Sequence, residues 1–225
     1  MKRCLAGLLC LLLCISAVPV SAVDGSGPSP WAEAEVNTAI SIGLVPEELQ
    51  SDYQQNITRD EFAQLAVTLC MAQLRYVGGP EQFLEDYRRY FRDEAGNAVD
   101  AVPAAFSDAT FWGTLASALG VVQGRGDGTF DPDGLITRQE AAVMVSRAAE
   151  LCGLETGMDT AAVRNMLAQF PDYMTSAEWA RVQLAFCYRE GILSQTELNI
   201  RPQDAVTRAE VAQMLFNLLS SAELL

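Results

Sequence analysis

A five-residue phrase occurs three times in this 225-residue chain, and it limits the folds open to the chain more than any other feature. It reads Ile-Thr-Arg-Asp-Glu at Ile57–Glu61, Ile-Thr-Arg-Gln-Glu at Ile136–Glu140 and Val-Thr-Arg-Ala-Glu at Val206–Glu210. Each copy opens an apolar run of helical period, so three copies of one structural unit are expected. Thr-x-x-Glu ahead of such a run is the signature of a capping box. Thr58, Thr137 and Thr207 are the expected N-caps, with Glu61, Glu140 and Glu210 at the third helical position. Ile57, Ile136 and Val206 supply the outer half of a hydrophobic staple, which Phe62 and Val211 complete well and Ala141 poorly. The predicted core face falls 4, 7, 8, 11 and 12 residues after each Thr: Phe62, Leu65, Ala66, Leu69 and Cys70 in the first copy, with matching apolar sets in the other two.

Arg59, Arg138 and Arg208 have no such account. They fall at the first helical position, where the helix dipole mildly disfavours a cation. An Arg beside free helix N–H groups suits a carboxylate or phosphate. A solvated Arg, or one paired with an acid of the neighbouring repeat, is the other reading. Recurrence in one slot favours anion recognition.

A shorter helix is expected before each capped one. In the first copy it runs from Trp31 to Ile42 and ends at Gly43; in the third, from Ser176 to Glu190, ending at Gly191. Glycine just past a helix is the usual left-handed C-cap. The second copy ends at Gly120, but Asp108 stands where the Trp should be and Trp112 lies about a turn later. The middle copy alone has a glycine-rich loop, Gly124–Gly134, whose acids miss the EF-hand spacing and its closing Glu. No metal site is expected there.

Residues 1–22 read as a secretory signal peptide: Lys2 and Arg3, the apolar Leu5–Val18, then Val20-Ser21-Ala22. The apolar stretch is short for a membrane span, so the mature chain is expected to be exported, soluble and free of spans. Without the signal it carries 13 basic residues (15 less Lys2 and Arg3) against 29 acidic, a net charge of −16. Such a balance argues against nucleic-acid binding and against adhesion to anionic lipid. Any anionic ligand must then be recognised through local Arg pockets. Cys70, Cys152 and Cys187 lack disulfide or metal spacing and are expected to be buried free thiols. The chain has no His, which removes Ser-His and Cys-His nucleophiles. Nothing places two carboxylates across a cleft at a glycosidase separation. No catalytic residue and no cofactor is assigned.

The order Phe-x-Asp, Trp-Ala, Gly, Asp-Gly-Thr-Phe-x-Pro, then Ile-Thr-Arg-x-Glu resembles the S-layer homology (SLH) repeat of bacterial surface proteins. The middle copy carries Phe106-Ser107-Asp108, Asp127-Gly128-Thr129-Phe130 and Ile136–Glu140. The third carries Phe170-Pro171-Asp172, Trp179-Ala180, Gly191 and Val206–Glu210. The first has Trp31-Ala32, Gly43 and Ile57–Glu61 but no Phe-x-Asp. The resemblance spans residues 30–74, 106–154 and 170–219, leaving an insertion at 75–105 and a linker with a short helix at 155–169. Within the insertion, Pro80–Arg92 can form an amphipathic helix with Phe83, Leu84, Tyr87 and Phe91 on its apolar side, packing back on the bundle or lengthening the linker.

The resemblance implies an all-α fold, three helix-loop-helix repeats packed as a pseudo-threefold bundle. It also implies grooves between repeats that bind secondary cell-wall polymers on peptidoglycan, often through a pyruvylated sugar, and so hold the protein on the bacterial wall. Arg59, Arg138 and Arg208 carry over as groove residues. Trp31 and Trp179 carry over for packing or sugar stacking, and Gly43, Gly120 and Gly191 as loop-shaping positions. Asp108 and Asp172 match the family's Asp, though either could be an N-cap. The alternative function is a degenerate all-α scaffold for protein–protein contact or self-association without glycan. The repeats end at Leu219, so no separate catalytic domain is expected, and a surface protein partner would fit a chain that is nearly all anchor.

Overall fold

The computed structural model describes residues 27–88, 105–195 and 197–224; the signal segment and Phe91 of the inserted helix lie outside them. As expected, the fold is all-α. Eight α-helices occur among the described residues: α1 (Glu33–Ser41), α2 (Arg59–Gln73), α3 (Pro80–Arg88), α4 (Phe111–Ala118), α5 (Arg138–Leu151), α6 (Thr160–Leu167), α7 (Arg181–Arg189) and α8 (Arg208–Ser221). The long helices α2, α5 and α8 each start at the arginine of the phrase, and all three begin with a complete capping box. Every core position read from the 4, 7, 8, 11, 12 spacing is buried in all three.

The phrases meet at one centre. The Ile57 N–H donates to the Val206 carbonyl (2.9 Å), Val206 N–H to Ile136 (3.0 Å) and Ile136 N–H to Ile57 (3.4 Å), closing a ring of hydrogen bonds between the same residue of each repeat. All three side chains are buried. These residues therefore do more than staple a helix: each is a buried strut whose backbone has only its counterparts to bond with.

The ring places each helix start against the next repeat's loop. At α2, Arg59 N–H donates to the Gly134 carbonyl and Asp60 N–H to Pro132. At α5, Arg138 N–H donates to Asp204 and Gln139 N–H to Pro202. At α8, Arg208 N–H donates to Gln55 and Ala209 N–H to Tyr53. The following N–H goes to the capping Thr, and the Thr N–H goes to the Glu. Each helix start is thus fully satisfied from within the chain. The N–H groups that sequence reasoning left free for a ligand are taken by carbonyls of the neighbouring repeat.

The first helices follow the same cycle: α4 packs on α2, α7 on α5 and α1 on α8. Gly43, Gly120 and Gly191 end α1, α4 and α7 with φ of +75°, +79° and +71°, the left-handed region that favours glycine. The middle helix, α4, departs in its start: Thr110 caps it, accepting from Gly113 N–H (2.9 Å), and the preceding residue is Ala109, not Trp. The inserted α3 packs on α2 through Phe83, which is buried between Tyr76 and Tyr87. The linker helix α6, capped by Asp159, packs on α7 through Val163 and Leu167. No helix of the described residues is long and apolar enough to cross a membrane.

Ile136→Ala deletes one strut of the ring at a site with no solvent exposure. It should cost about 2–5 kcal/mol, read as a lowered urea midpoint in circular dichroism.

Candidate functional site

The three arginines of the phrase cross the repeat boundaries. Arg208 Nη2 donates to Glu61 Oε1 (2.5 Å) and its Nη1 to the Ser51 carbonyl (3.1 Å). Arg138 Nη1 donates to Glu210 Oε1 (3.1 Å), and its Nη2 pairs with Glu197. Arg59 departs: Nε donates to the Phe130 carbonyl and Nη2 to the Gln123 carbonyl, both at 2.6 Å, while the guanidinium lies 5.0 Å from the Phe130 ring centroid. Arg59 and Arg138 are buried, and Arg208 nearly so.

The glutamates explain the pattern. Each divides its oxygens, Oε2 capping its own helix and Oε1 taking a cation. For Glu61 and Glu210 that cation is the preceding repeat's phrase arginine. For Glu140 it is Arg125, from the glycine-rich loop, at 2.6 Å. Arg59, displaced from a carboxylate, turns to carbonyls. Burial lowers its pKa, with Arg125 adding to the effect. Burial also opposes the charge on Arg138, but Glu197 and Glu210 outweigh it and the pKa rises. For Arg208 the hydrogen bond it donates to Glu61 raises it.

Asp108 and Asp172 fasten loops and cap no helix. Asp108 accepts from the N–H groups of Phe130 (2.6 Å) and Asp131 (2.9 Å); Asp172 accepts from those of Ile200 (2.9 Å) and Arg201 (2.8 Å). The second residue of each pair has a positive φ, +60° at Asp131 and +52° at Arg201, as does Asp52 (+52°) in the same slot of the first repeat. That repeat lacks the Asp; there Gln54 Nε2 holds Ser29 Oγ (2.7 Å) instead. Gly124 permits the loop its tight return, since a Cβ would lie 2.5 Å from the Thr129 carbonyl.

Two clefts open between repeats, each beneath an exposed indole. Trp31, 54% exposed, stands over a cleft of about 780 Å³ formed with the third repeat. Gln54, Asn199 and Gln213 line it with Arg138, Arg201, Glu197 and Glu210. Trp179, 59% exposed, stands over a cleft of about 370 Å³ formed with the second repeat, lined by Gln123, Arg147, Glu150 and Gln183. At the third boundary no tryptophan takes that place: Thr110 Oγ1 donates to Asp60, and Trp112 is half-buried against Phe111. The clefts therefore bring Arg138 near Trp31 but leave Arg59 and Arg208 outside their linings.

Sequence reasoning missed Arg201, Glu197 and the amides, and also Arg147. Arg201 was discoverable in principle, because it falls six residues before its Thr, like Asp52 and Asp131. The thiols are free as expected, with Cys70 and Cys187 buried and Cys152 half-buried. Burial raises their pKa values, Cys70 to about 12 and Cys152 to about 11.

Comparison with known families matches the S-layer homology domain at residues 114–142 and 169–212, within the second and third repeats. No curated protein matches the chain.

Arg138→Ala leaves Glu210 and Glu197 to share Arg201 and should cost about 2–3 kcal/mol, the partners being partly wetted; urea unfolding measures it. Backbone N–H groups hold the Asp108 carboxyl below its ordinary pKa of 3.8. A depressed folded pKa gives stability that is full above the unfolded value and is lost as pH falls through the folded one. Asp108→Asn should therefore unfold at a lower temperature than wild type at pH 6, and the gap should narrow below about pH 4.

Proposed function

We propose that this chain, a carrier of S-layer homology domains and so a cell-surface, wall-associated protein, is exported and binds secondary cell-wall polysaccharide through the clefts between its repeats. The observation that carries this reading is the Trp31 cleft. An exposed indole faces a wall of amides and paired charges, and that combination suits a sugar: the apolar face of a pyranose stacks on the ring. Its hydroxyls, each donor and acceptor, meet Gln54, Asn199, Gln213 and the Arg–Glu pairs. A carboxylate-bearing unit, such as a pyruvylated sugar, would compete with Glu197 and Glu210 for the guanidiniums of Arg138 and Arg201.

On this reading the protein is not an enzyme. Arg59 and Arg208 brace the repeats, Arg138 braces them and lines the Trp31 cleft, and Trp31 and Trp179 are the contact platforms. Gly191 and Gly120 turn the chain just ahead of the segments that form the cleft walls. Gly43 ends α1 with the same left-handed turn. Asp172 and Asp108 hold the loops from which Arg201 and Phe130 project.

Sedimentation with purified sacculi tests the proposal. Wild-type protein should pellet with intact sacculi and remain in solution once the secondary polymer has been stripped. Trp31→Ala, an exposed change with little effect on folding, should weaken binding by about 1–2 kcal/mol, roughly tenfold. Pelleting that is indifferent to stripping would overturn glycan binding and favour contact with a wall protein. Pelleting indifferent to Trp31→Ala would remove the cleft from the site.

A further inference from the structure

The fourth residue of the phrase changes its chemistry from copy to copy: Asp60, Gln139 and Ala209. It is the second residue of α2, α5 and α8. Its backbone N–H goes to the neighbouring loop in every copy. What distinguishes the copies at this slot is therefore the side chain.

In two copies that side chain reaches across the boundary to the start of the neighbouring first helix. Gln139 Oε1 accepts from the Ala177 N–H at 3.0 Å, across 38 residues of chain. Ala177 opens the short helical turn Glu178–Ala180, which contains Trp179, packs on α5 and has no side-chain cap of its own. Gln139 is only 5% exposed, so its amide serves this bond and not the solvent. The Ser176 carbonyl, just before Ala177, is held from within the repeat by Arg181 Nη2 (3.1 Å). The turn is thus pinned at two points, one of them in another repeat. Asp60 plays the matching part for α4. The Gly113 N–H donates to Thr110 Oγ1 (2.9 Å), and the Thr110 hydroxyl donates to the Asp60 carboxylate.

The third copy has no such tie. Ala209 offers no polar side chain, and α1 follows Ala32 without a side-chain cap. The segment carrying Trp31 is held within its own repeat, where Gln54 Nε2 donates to Ser29 Oγ. The larger cleft, about 780 Å³ against about 370 Å³, lies at this untied boundary. An indole that is more than half exposed has little packing of its own to fix it. Its aim depends on the backbone turn that carries it.

We infer that Gln139 is a positioning residue for the Trp179 platform: its amide holds the turn from across the repeat boundary and aims the indole over the cleft before any ligand arrives. Gln139 acts through Trp179 and touches no ligand. Trp31 lacks this tie, so the two platforms differ in rigidity. The consequence for binding rests on the wall-binding reading, because a preordered contact saves the cost of ordering it in the complex. The ordering of the indole is a property of the free protein.

The experiment uses the nitrogen-labelled full chain, with the indole N–H signals of Trp31 and Trp179 as separate reporters. Relaxation of these signals measures order on the picosecond-to-nanosecond scale. In the wild type Trp179 should be the more ordered of the two. Gln139→Ala should loosen Trp179 and leave Trp31 as it was. Gln139→Glu, which keeps the acceptor, should restore the order. With soluble polymer fragments released from sacculi, Gln139→Ala should weaken the Trp179 response roughly 3- to 10-fold, the loss expected for one hydrogen bond, with the Trp31 response unchanged. A merely structural role would lower the urea midpoint and leave the order and binding of Trp179 at wild-type values. That result in Gln139→Ala would overturn the inference. Equal order of the two indoles in the wild type would overturn it as well, and needs no variant. Fragments that move neither indole would defeat the wall-binding reading and the binding half of this inference, while relaxation still decides whether Gln139 holds the turn.

Discussion

The closed ring of hydrogen bonds through Ile57, Ile136 and Val206 is the constraint on which the rest of this structure depends. A backbone N–H buried in an apolar centre must find an acceptor, and here each finds the matching residue of another repeat. A single repeat cannot satisfy that demand. Nor can it cover the two N–H groups that follow its capping box, which take carbonyls from the neighbour's loop. The three units are therefore interdependent at the level of backbone satisfaction, before any apolar surface is counted.

The ring also fixes what the phrase arginines can do. Held at the first helical position, each guanidinium reaches across a boundary. Glutamate of the next repeat has one oxygen to spare after capping its own helix. Two arginines take that oxygen, and the third yields it to Arg125 and settles on carbonyls. The boundaries share a backbone plan and differ in electrostatics. Those differences extend to the clefts, where Arg138 and Arg201 beside Trp31 form ion pairs with Glu197 and Glu210, while Arg147 beside Trp179 has Glu150 as its charged neighbour.

Much of this was legible in the chain. The capping boxes, the buried face of α2, α5 and α8, the glycine C-caps and the free thiols all follow from residue type and spacing. These are local effects, decided within one or two turns of helix. The candidate site was legible only in part. Trp31 and Trp179 stand out as aromatics in equivalent slots, and both are exposed over clefts. Arg147 looks like any helix arginine, and Arg201 like any loop arginine. Asp108 and Asp172 left open whether they cap a helix or serve another end; their bonds to loop N–H groups lie 22 to 29 residues away.

The sequence by itself determined that three capped helices form, which of their faces are apolar and where their partner helices stop. Those outcomes depend on hydrogen bonds and side-chain periodicity over a few residues. Only the tertiary structure decided that the helix starts face one another, that their N–H groups are consumed by neighbouring loops, and which carboxylate each cation meets. Pairing is a property of distance in space. A guanidinium's availability depends on carboxylates that the chain brings beside it from 59 or 147 residues away, and no local spacing encodes that.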